Sequence, residues 1–325
     1  MRVGINGFGR IGRALFRVLH EREGMEVIAV NDIADINSLA HLLKYDSIHR
    51  TFTADIQKSR QNILIDGRLV TVTREAQLDH LSWEGCDVVV EATGNFLTKL
   101  DLEKHIKFGA KKVVLAASPK GSDVKMVVLG VNDSDLNESD FIVSNASCTT
   151  NCAAPMVQII DENFGVDQAY ITTIHSYTKD QSLHDSPHKD LRRARAGALS
   201  IIPTTTGAAK AITKIFPHLE IGGCGMRVPV ANGSLTDITF TVQNECTIEE
   251  INQLFYKASI GKYQGIVDYT EDPIVSADIV GNTASCFFDA QLTSVLGNMV
   301  KIVAWYDNEI GYSNRLADLI QRVTF

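Results

Sequence analysis

The sequence predicts an α/β domain built on a parallel sheet, followed by an α+β domain whose sheet is mainly antiparallel. Three patterns carry this. Near the N-terminus a glycine-rich turn lies between two short apolar runs. Residues 87–91 (DVVVE) and 112–116 (KVVLA) are nearly unbroken apolar segments, as in strands buried on both faces of a parallel sheet. From Met226 onward, residues 236–242, 284–288 and 299–305 alternate apolar with polar, the pattern of strands with one wet face.

Taken in order, residues 3–5 form a strand that runs into Gly7-Phe8-Gly9-Arg10-Ile11-Gly12. A helical pattern follows (Ala14, Leu15, Val18, Leu19), then a second strand at 27–30 ending on Asn31-Asp32. A G-x-G-x-x-G turn between strand and helix, closed by an acid, is the fingerprint of a Rossmann dinucleotide-binding domain. Its glycines let a pyrophosphate approach the helix N-terminus. Asp32 is placed to accept hydrogen bonds from the adenosine ribose, and its charge favours NAD over NADP. Residues 38–45 read as a helix, and 63–65 with 71–73 as a hairpin around Asp66-Gly67. The segments 91–94 and 117–119 fall at strand ends, where open α/β sheets bind ligands. Residues 126–131 and 141–143 complete the strands of this domain, which ends near Ser147.

A helix is expected over residues 149–163, stopped by Asn163-Phe164-Gly165 and kinked by Pro155. Cys148 stands where that helix begins, and unpaired N–H groups there favour a thiolate. Fifteen helical residues rise about 22 Å. The β-rich run 169–175 covers about 23 Å on the way back, which brings His175 to Cys148. A thiol beside an imidazole is an activated nucleophile. A small buried apolar cysteine is the competing reading.

After His175 comes Thr178, then a long polar segment ending at Arg192, Arg193 and Arg195. Those arginines suit a solvated face, a nucleic-acid patch or a small-anion site. Thr205, Thr206 and Gly207 open a helix, either as an ordinary cap or as donors to an anion. Thr247-Ile-Glu-Glu250 is a capping box that starts a helix over 247–258. A last helix over 312–323 returns to the first domain. The expected boundaries are 1–147 with 312–325, and 148–311.

At 325 residues and a net charge of −8, the chain suits about two domains, with neither nucleic acid nor a membrane as main partner. Six cysteines form no CxxC pair, no run approaches a membrane span, and no secretory leader is visible. A reducing cytoplasm is therefore expected, and no metal.

The chain resembles phosphorylating glyceraldehyde-3-phosphate dehydrogenase of the NAD-dependent, glycolytic type. The resemblance rests on residues 5–13 (INGFGRIGR), 144–152 (SNASCTTNC), 188–195 (HKDLRRAR), 202–210 (IPTTTGAAK) and 305–312 (WYDNEIGY). It implies a homotetramer that oxidises glyceraldehyde 3-phosphate with inorganic phosphate. Cys148 would be the nucleophile and His175 its ion-pair partner and base, passing through a thiohemiacetal and a thioester. Thr178 and Arg227 would hold the substrate phosphate; Ser147, Thr149, Arg193, Thr206 and Gly207 the inorganic phosphate. Arg10 and Ile11 would meet the pyrophosphate, Arg74 the adenine end, and Asn308 the nicotinamide carboxamide, with Tyr312 nearby. Ser186-Pro187 stands where the family has Leu-Pro, a departure that touches cofactor choice. The rival within the chemistry is erythrose-4-phosphate dehydrogenase. The rival of another class is a redox-sensing or RNA-binding protein on a dehydrogenase scaffold.

Overall fold

The computed structural model describes residues 1–59 and 61–324. The chain divides into two compact units, one comprising Met1–Val127, Ser134–Ala146 and the segment from Ser313 onward, the other Val128–Asp133 and Ser147–Tyr312.

The first unit holds a nine-stranded sheet in the order Lys125–Met126, Ile142–Ser144, Lys112–Leu115, Val88–Glu91, Arg2–Asn6, Glu26–Asn31, Arg68–Thr73, Asn62–Ile65, Ile56–Lys58. The first seven run parallel and the last two return antiparallel. Val88, Val89, Val90, Val113 and Val114 are wholly buried, which is why these strands carry no alternation. Strand order reverses at Arg2–Asn6, flanked by Glu26–Asn31 on one side and Val88–Glu91 on the other. Ligand crevices of open α/β sheets lie at the carboxyl ends of such strands. The final helix, Ile310–Thr324, sends Asp318 to an ion pair with Arg22 at 2.5 Å, inside this unit.

The expected strand over 126–131 is shorter than the sequence reading. It stops at Met126. Beyond it the Asn132 and Asp133 side chains accept the N–H groups of Val128 and Gly130 at 2.8 and 2.9 Å. Apolar residues are thus held in an Asx-capped turn rather than a ladder.

The second unit carries an eight-stranded sheet, of which seven follow the order Ile202–Thr204, Glu220–Val228, Val166–Ser176, Ser234–Val242, Met299–Tyr306, Cys286–Asp289, Val267–Thr270, while Ser294–Leu296 pairs with Met299–Tyr306. Two joins are parallel: Val166–Ser176 with Glu220–Val228, and Val267–Thr270 with Cys286–Asp289. The others are antiparallel. The strand expected from Met226 begins six residues earlier, at Glu220. Gly222, Gly223 and Gly225 hid it, and the first two are there for space. A Cβ on Gly222 would press the Tyr170 ring, and one on Gly223 would sit 2.7 Å from the Ile171 carbonyl.

Helix Cys148–Phe164 is buried nearly all round, so it lacks the one-sided pattern of a surface helix. It runs through Pro155, whose missing N–H leaves one rung of the ladder unmade. Helix Ile248–Ile260 is capped as expected, Thr247 and Glu250 exchanging both hydrogen bonds of the box.

Candidate active site

On the dinucleotide turn, Gly7 has φ of 95°, and a Cβ there would lie 2.6 Å from the Thr93 backbone nitrogen. A Cβ on Gly12 would meet the Gly7 carbonyl at 2.1 Å. Both positions therefore exclude any larger residue. Gly9 has open space where its side chain would be, and no side chain caps helix Arg10–Glu21. The Ile11 N–H in the first turn is left for an anion. The Asp32 carboxylate is fixed by the Phe8 N–H at 2.8 Å and the Ala34 N–H at 3.0 Å. Its remaining lone pairs suit ribose hydroxyls. The residues of this turn fit NAD.

Arg10 is paired with Asp46. Burial works against ionisation of Asp46, yet the His49 N–H, the Arg10 guanidinium and the Ile48 N–H hold its carboxyl down at about 2. Arg74 donates to the Ile33 carbonyl at 3.1 Å, next to Asp32.

In the second unit, Ser147 caps helix Cys148–Phe164 by accepting the Thr150 N–H at 3.1 Å. Ala146 just before it has φ of 52°, a strained turn that sets the cysteine on the helix start. Strand Val166–Ser176 returns His175, and its Nε2 lies 3.5 Å from Cys148 Sγ. The strand register sets Arg227 directly beside His175. Arg227 Nη1 is 2.5 Å from His175 Nδ1 and donates to the Ser176 carbonyl at 3.1 Å. That carbonyl is also 2.7 Å from Nδ1.

Cys148 keeps part of its surface open, yet burial pushes its thiol up, with the Arg227 guanidinium and the Thr149 N–H pulling the other way. Burial and the same guanidinium drive the His175 imidazole down to about 3. The resemblance implies a thiolate–imidazolium pair; these surroundings favour a neutral thiol and imidazole sharing one proton, with a base in place to take it.

Thr178 and Arg193, expected to bind anions, are tied together through Asp180. Its carboxylate accepts from Arg193 Nη1 at 2.5 Å and from Gln181 Nε2 at 3.2 Å, and Gln181 in turn accepts the Thr178 N–H at 2.9 Å. Arg193 and His188 keep Asp180 below the usual carboxylate range against the opposing effect of burial. Arg193 Nε also donates to Thr204 at 2.9 Å. Of the three clustered arginines only Arg193 turns inward; Arg195 pairs with Asp185 and Arg192 is exposed. Thr206 Oγ1 accepts the Ala208 N–H at 3.2 Å. Gly207 caps helix Ala208–Ile215 without a side chain, so this N-terminus too retains free donor capacity.

Asn308 Oδ1 accepts the hydroxyls of Ser176 and Ser234 at 2.9 and 2.8 Å. Two hydroxyl donors on one atom fix the amide orientation and leave its NH₂ group as donor. Tyr306 stands beside His175 and Thr149. Its ring stands edge-on to His175 at 6.0 Å and its hydroxyl bonds Thr149 Oγ1 at 2.9 Å. Tyr312, four residues beyond Asn308, is buried in the first turn of helix Ile310–Thr324. Sequence reasoning missed Tyr306, Ser176, Ser234, Asp180 and Gln181. Only the first carried a signal, as an inward position at the end of the alternating strand Met299–Tyr306.

A dinucleotide turn and a thiol with its own base are the working parts of an oxidoreductase that bonds covalently to its substrate through sulfur. The family model for the glyceraldehyde 3-phosphate dehydrogenase NAD binding domain matches residues 1–99, and that for the C-terminal domain matches residues 147–308. Glyceraldehyde-3-phosphate dehydrogenase 2 of Streptomyces avermitilis is 51% identical over 326 residues, covering 98% of this chain and 97% of its own. Glyceraldehyde-3-phosphate dehydrogenase of Geobacillus stearothermophilus is 48% identical over 325 residues, with 98% and 97% covered. The Thermotoga maritima enzyme of the same name is 47% identical over 327 residues, with 98% of each covered. The chain belongs to the glyceraldehyde-3-phosphate dehydrogenase family.

Proposed function

We propose that this chain oxidises glyceraldehyde 3-phosphate to 1,3-bisphosphoglycerate with inorganic phosphate, using Cys148 as nucleophile and His175 as acid and base. The observation that carries the reading is the 3.5 Å approach of His175 Nε2 to Cys148 Sγ at a helix start. Nε2 takes the thiol proton as sulfur attacks the aldehyde carbon, and returns it to the aldehyde oxygen, giving a thiohemiacetal. NAD, held by Gly7, Gly9, Arg10, Ile11, Gly12, Asp32 and Arg74, supplies the acceptor for the hydride that leaves that carbon. Nε2 takes the hydroxyl proton as the carbonyl re-forms, leaving a thioester. A phosphate oxygen then displaces sulfur, which regains its proton from Nε2.

Thr178 and Arg227 are assigned to the substrate phosphate. Ser147, Thr149, Arg193, Thr206 and Gly207 are assigned to the inorganic phosphate, and Asn308 to the nicotinamide carboxamide. Residues 1–147 with 312–325 are taken as the cofactor-binding domain and 148–311 as the catalytic domain.

A homotetramer is part of the same reading. Leu183, Leu191, Leu199 and Ile201 are 76, 82, 80 and 66% exposed, an apolar set that a second copy would cover. The six free cysteines suit a reducing cytoplasm. Among the described residues, no helix is long and apolar enough to cross a membrane.

The test is NAD reduction with glyceraldehyde 3-phosphate, phosphate omitted and then restored, before and after alkylation of Cys148. Activity should need phosphate and vanish on alkylation. A clear preference for erythrose 4-phosphate, or indifference to phosphate, would refute the assignment. Sedimentation velocity showing a monomer at micromolar concentration would refute the tetramer.

A further inference from the structure

Glu91 ends strand Val88–Glu91 and is wholly buried. Neighbouring strand positions hold valine, and packing alone would accept one here. Burying a carboxyl group is costly unless donors surround it, and four do. They are Asn6 Nδ2 at 2.5 Å, His105 Nε2 at 3.0 Å, and the N–H and hydroxyl of Thr93 at 2.8 and 2.5 Å. His105, on helix Lys99–Lys107, is itself 1% exposed. Its Nδ1 accepts from Trp83 Nε1 at 2.9 Å. An indole nitrogen only donates, so Nδ1 is the acceptor and Nε2 carries the hydrogen that goes to Glu91. Trp83 is set in the core among Leu78, Leu102 and Val113, so the relay begins on a rigid anchor.

The other end of the relay is the dinucleotide turn. Asn6 precedes Gly7, its carbonyl accepts the Ala92 N–H at 2.7 Å, and its side chain accepts from Asn31 at 2.8 Å. Thr93 is the residue whose backbone lies against Gly7, with no room for a Cβ between them. Fixing Glu91 therefore fixes the spacing between the Gly7 turn and the Thr93 backbone at the sheet's switch point.

We propose that His105 is a positioning residue for the cofactor: through Glu91 it holds Thr93 against the Gly7 turn in the geometry that NAD requires. The inference rests on the assignment of that turn to NAD. Supporting groups of this kind decide whether a binding site is tight or slack.

The experiment is calorimetric titration of NAD into the purified full-length protein, without aldehyde, across three substitutions. His105→Phe keeps a ring and removes both nitrogens, and should weaken NAD binding by roughly tenfold. His105→Gln places an amide N–H near the Nε2 position and should restore most of the affinity. His105→Asn is the polar control. Its shorter amide reaches only the Nδ1 position and should behave like His105→Phe. The KM for glyceraldehyde 3-phosphate and the rate of Cys148 alkylation in NAD-free protein should stay within twofold in the three.

Unchanged NAD affinity in His105→Phe overturns the proposal, as does equal loss in the Gln and Asn variants. If His105→Phe does not fold, the Gln–Asn contrast decides by itself. Failure of the unaltered protein to bind NAD would instead sink the cofactor assignment on which the proposal stands.

Discussion

Replacing His175 with asparagine tests the centre of the mechanism. The imidazole Nε2 is the basic nitrogen at Cys148 Sγ, 3.5 Å away. Asparagine keeps a small polar group in the strand but cannot take a proton. A positioned general base contributes about 10²- to 10⁴-fold, or roughly 3–5 kcal/mol of barrier. kcat for NAD reduction should fall by that amount, while the KM for NAD, to which His175 is assigned no contact, stays within about twofold. Thiol reactivity gives a second reading. Burial already pushes the Cys148 thiol up, and the substitution removes the ring nitrogen beside Sγ that would take its proton. Iodoacetamide inactivation at pH 7 should slow, and its pH midpoint should move upward. The assays are steady-state kinetics and inactivation rates from pH 5 to 10. A kcat within fivefold of the parent, or an unmoved inactivation profile, would refute the role given to His175.

Three further outcomes follow from the same geometry. His175 is held near 3 when folded against an ordinary 6.5, so between those values the unfolded chain binds the extra proton. Stability should fall as pH drops below about 6.5, with a slope of up to roughly 1.4 kcal/mol per pH unit from this group. Denaturant melts at pH 7 and pH 5 check it, and a His175→Asn chain with an equally steep dependence would contradict it. Asp32→Ala removes the acceptor of the Phe8 N–H and the charge that repels a 2′-phosphate. The ratio of kcat/KM for NADP over NAD should rise by roughly tenfold or more; an unmoved ratio would remove Asp32 from cofactor choice. Asp180→Asn takes away the negative charge that anchors both Arg193 and Gln181. The KM for inorganic phosphate should increase by roughly three- to tenfold with the KM for NAD unaltered, and equal rises in both would show general damage instead.

The primary sequence determined what depends on neighbours along the chain. The Gly7–Gly12 turn, the acid at Asp32, the capping box at Thr247 and the helix start at Cys148 are local features, each requiring a particular residue type for steric or hydrogen-bonding reasons. The meeting of Cys148 with His175 was also legible, because a helix followed immediately by a strand returns the chain by a fixed rise per residue. What tertiary structure alone decided is pairing between distant segments. Arg227 stands beside His175 because two strands 52 residues apart run parallel in register. Ser176 and Ser234 converge on Asn308 across three strands. Asp180 gathers Arg193 and Thr178, and Glu91 gathers Asn6, Thr93 and His105. Hydroxyls, amides and carboxyls carry no periodic signal of their own. Their partners are fixed by sheet order and by the demand that every buried polar atom be satisfied, and neither acts until the chain has folded.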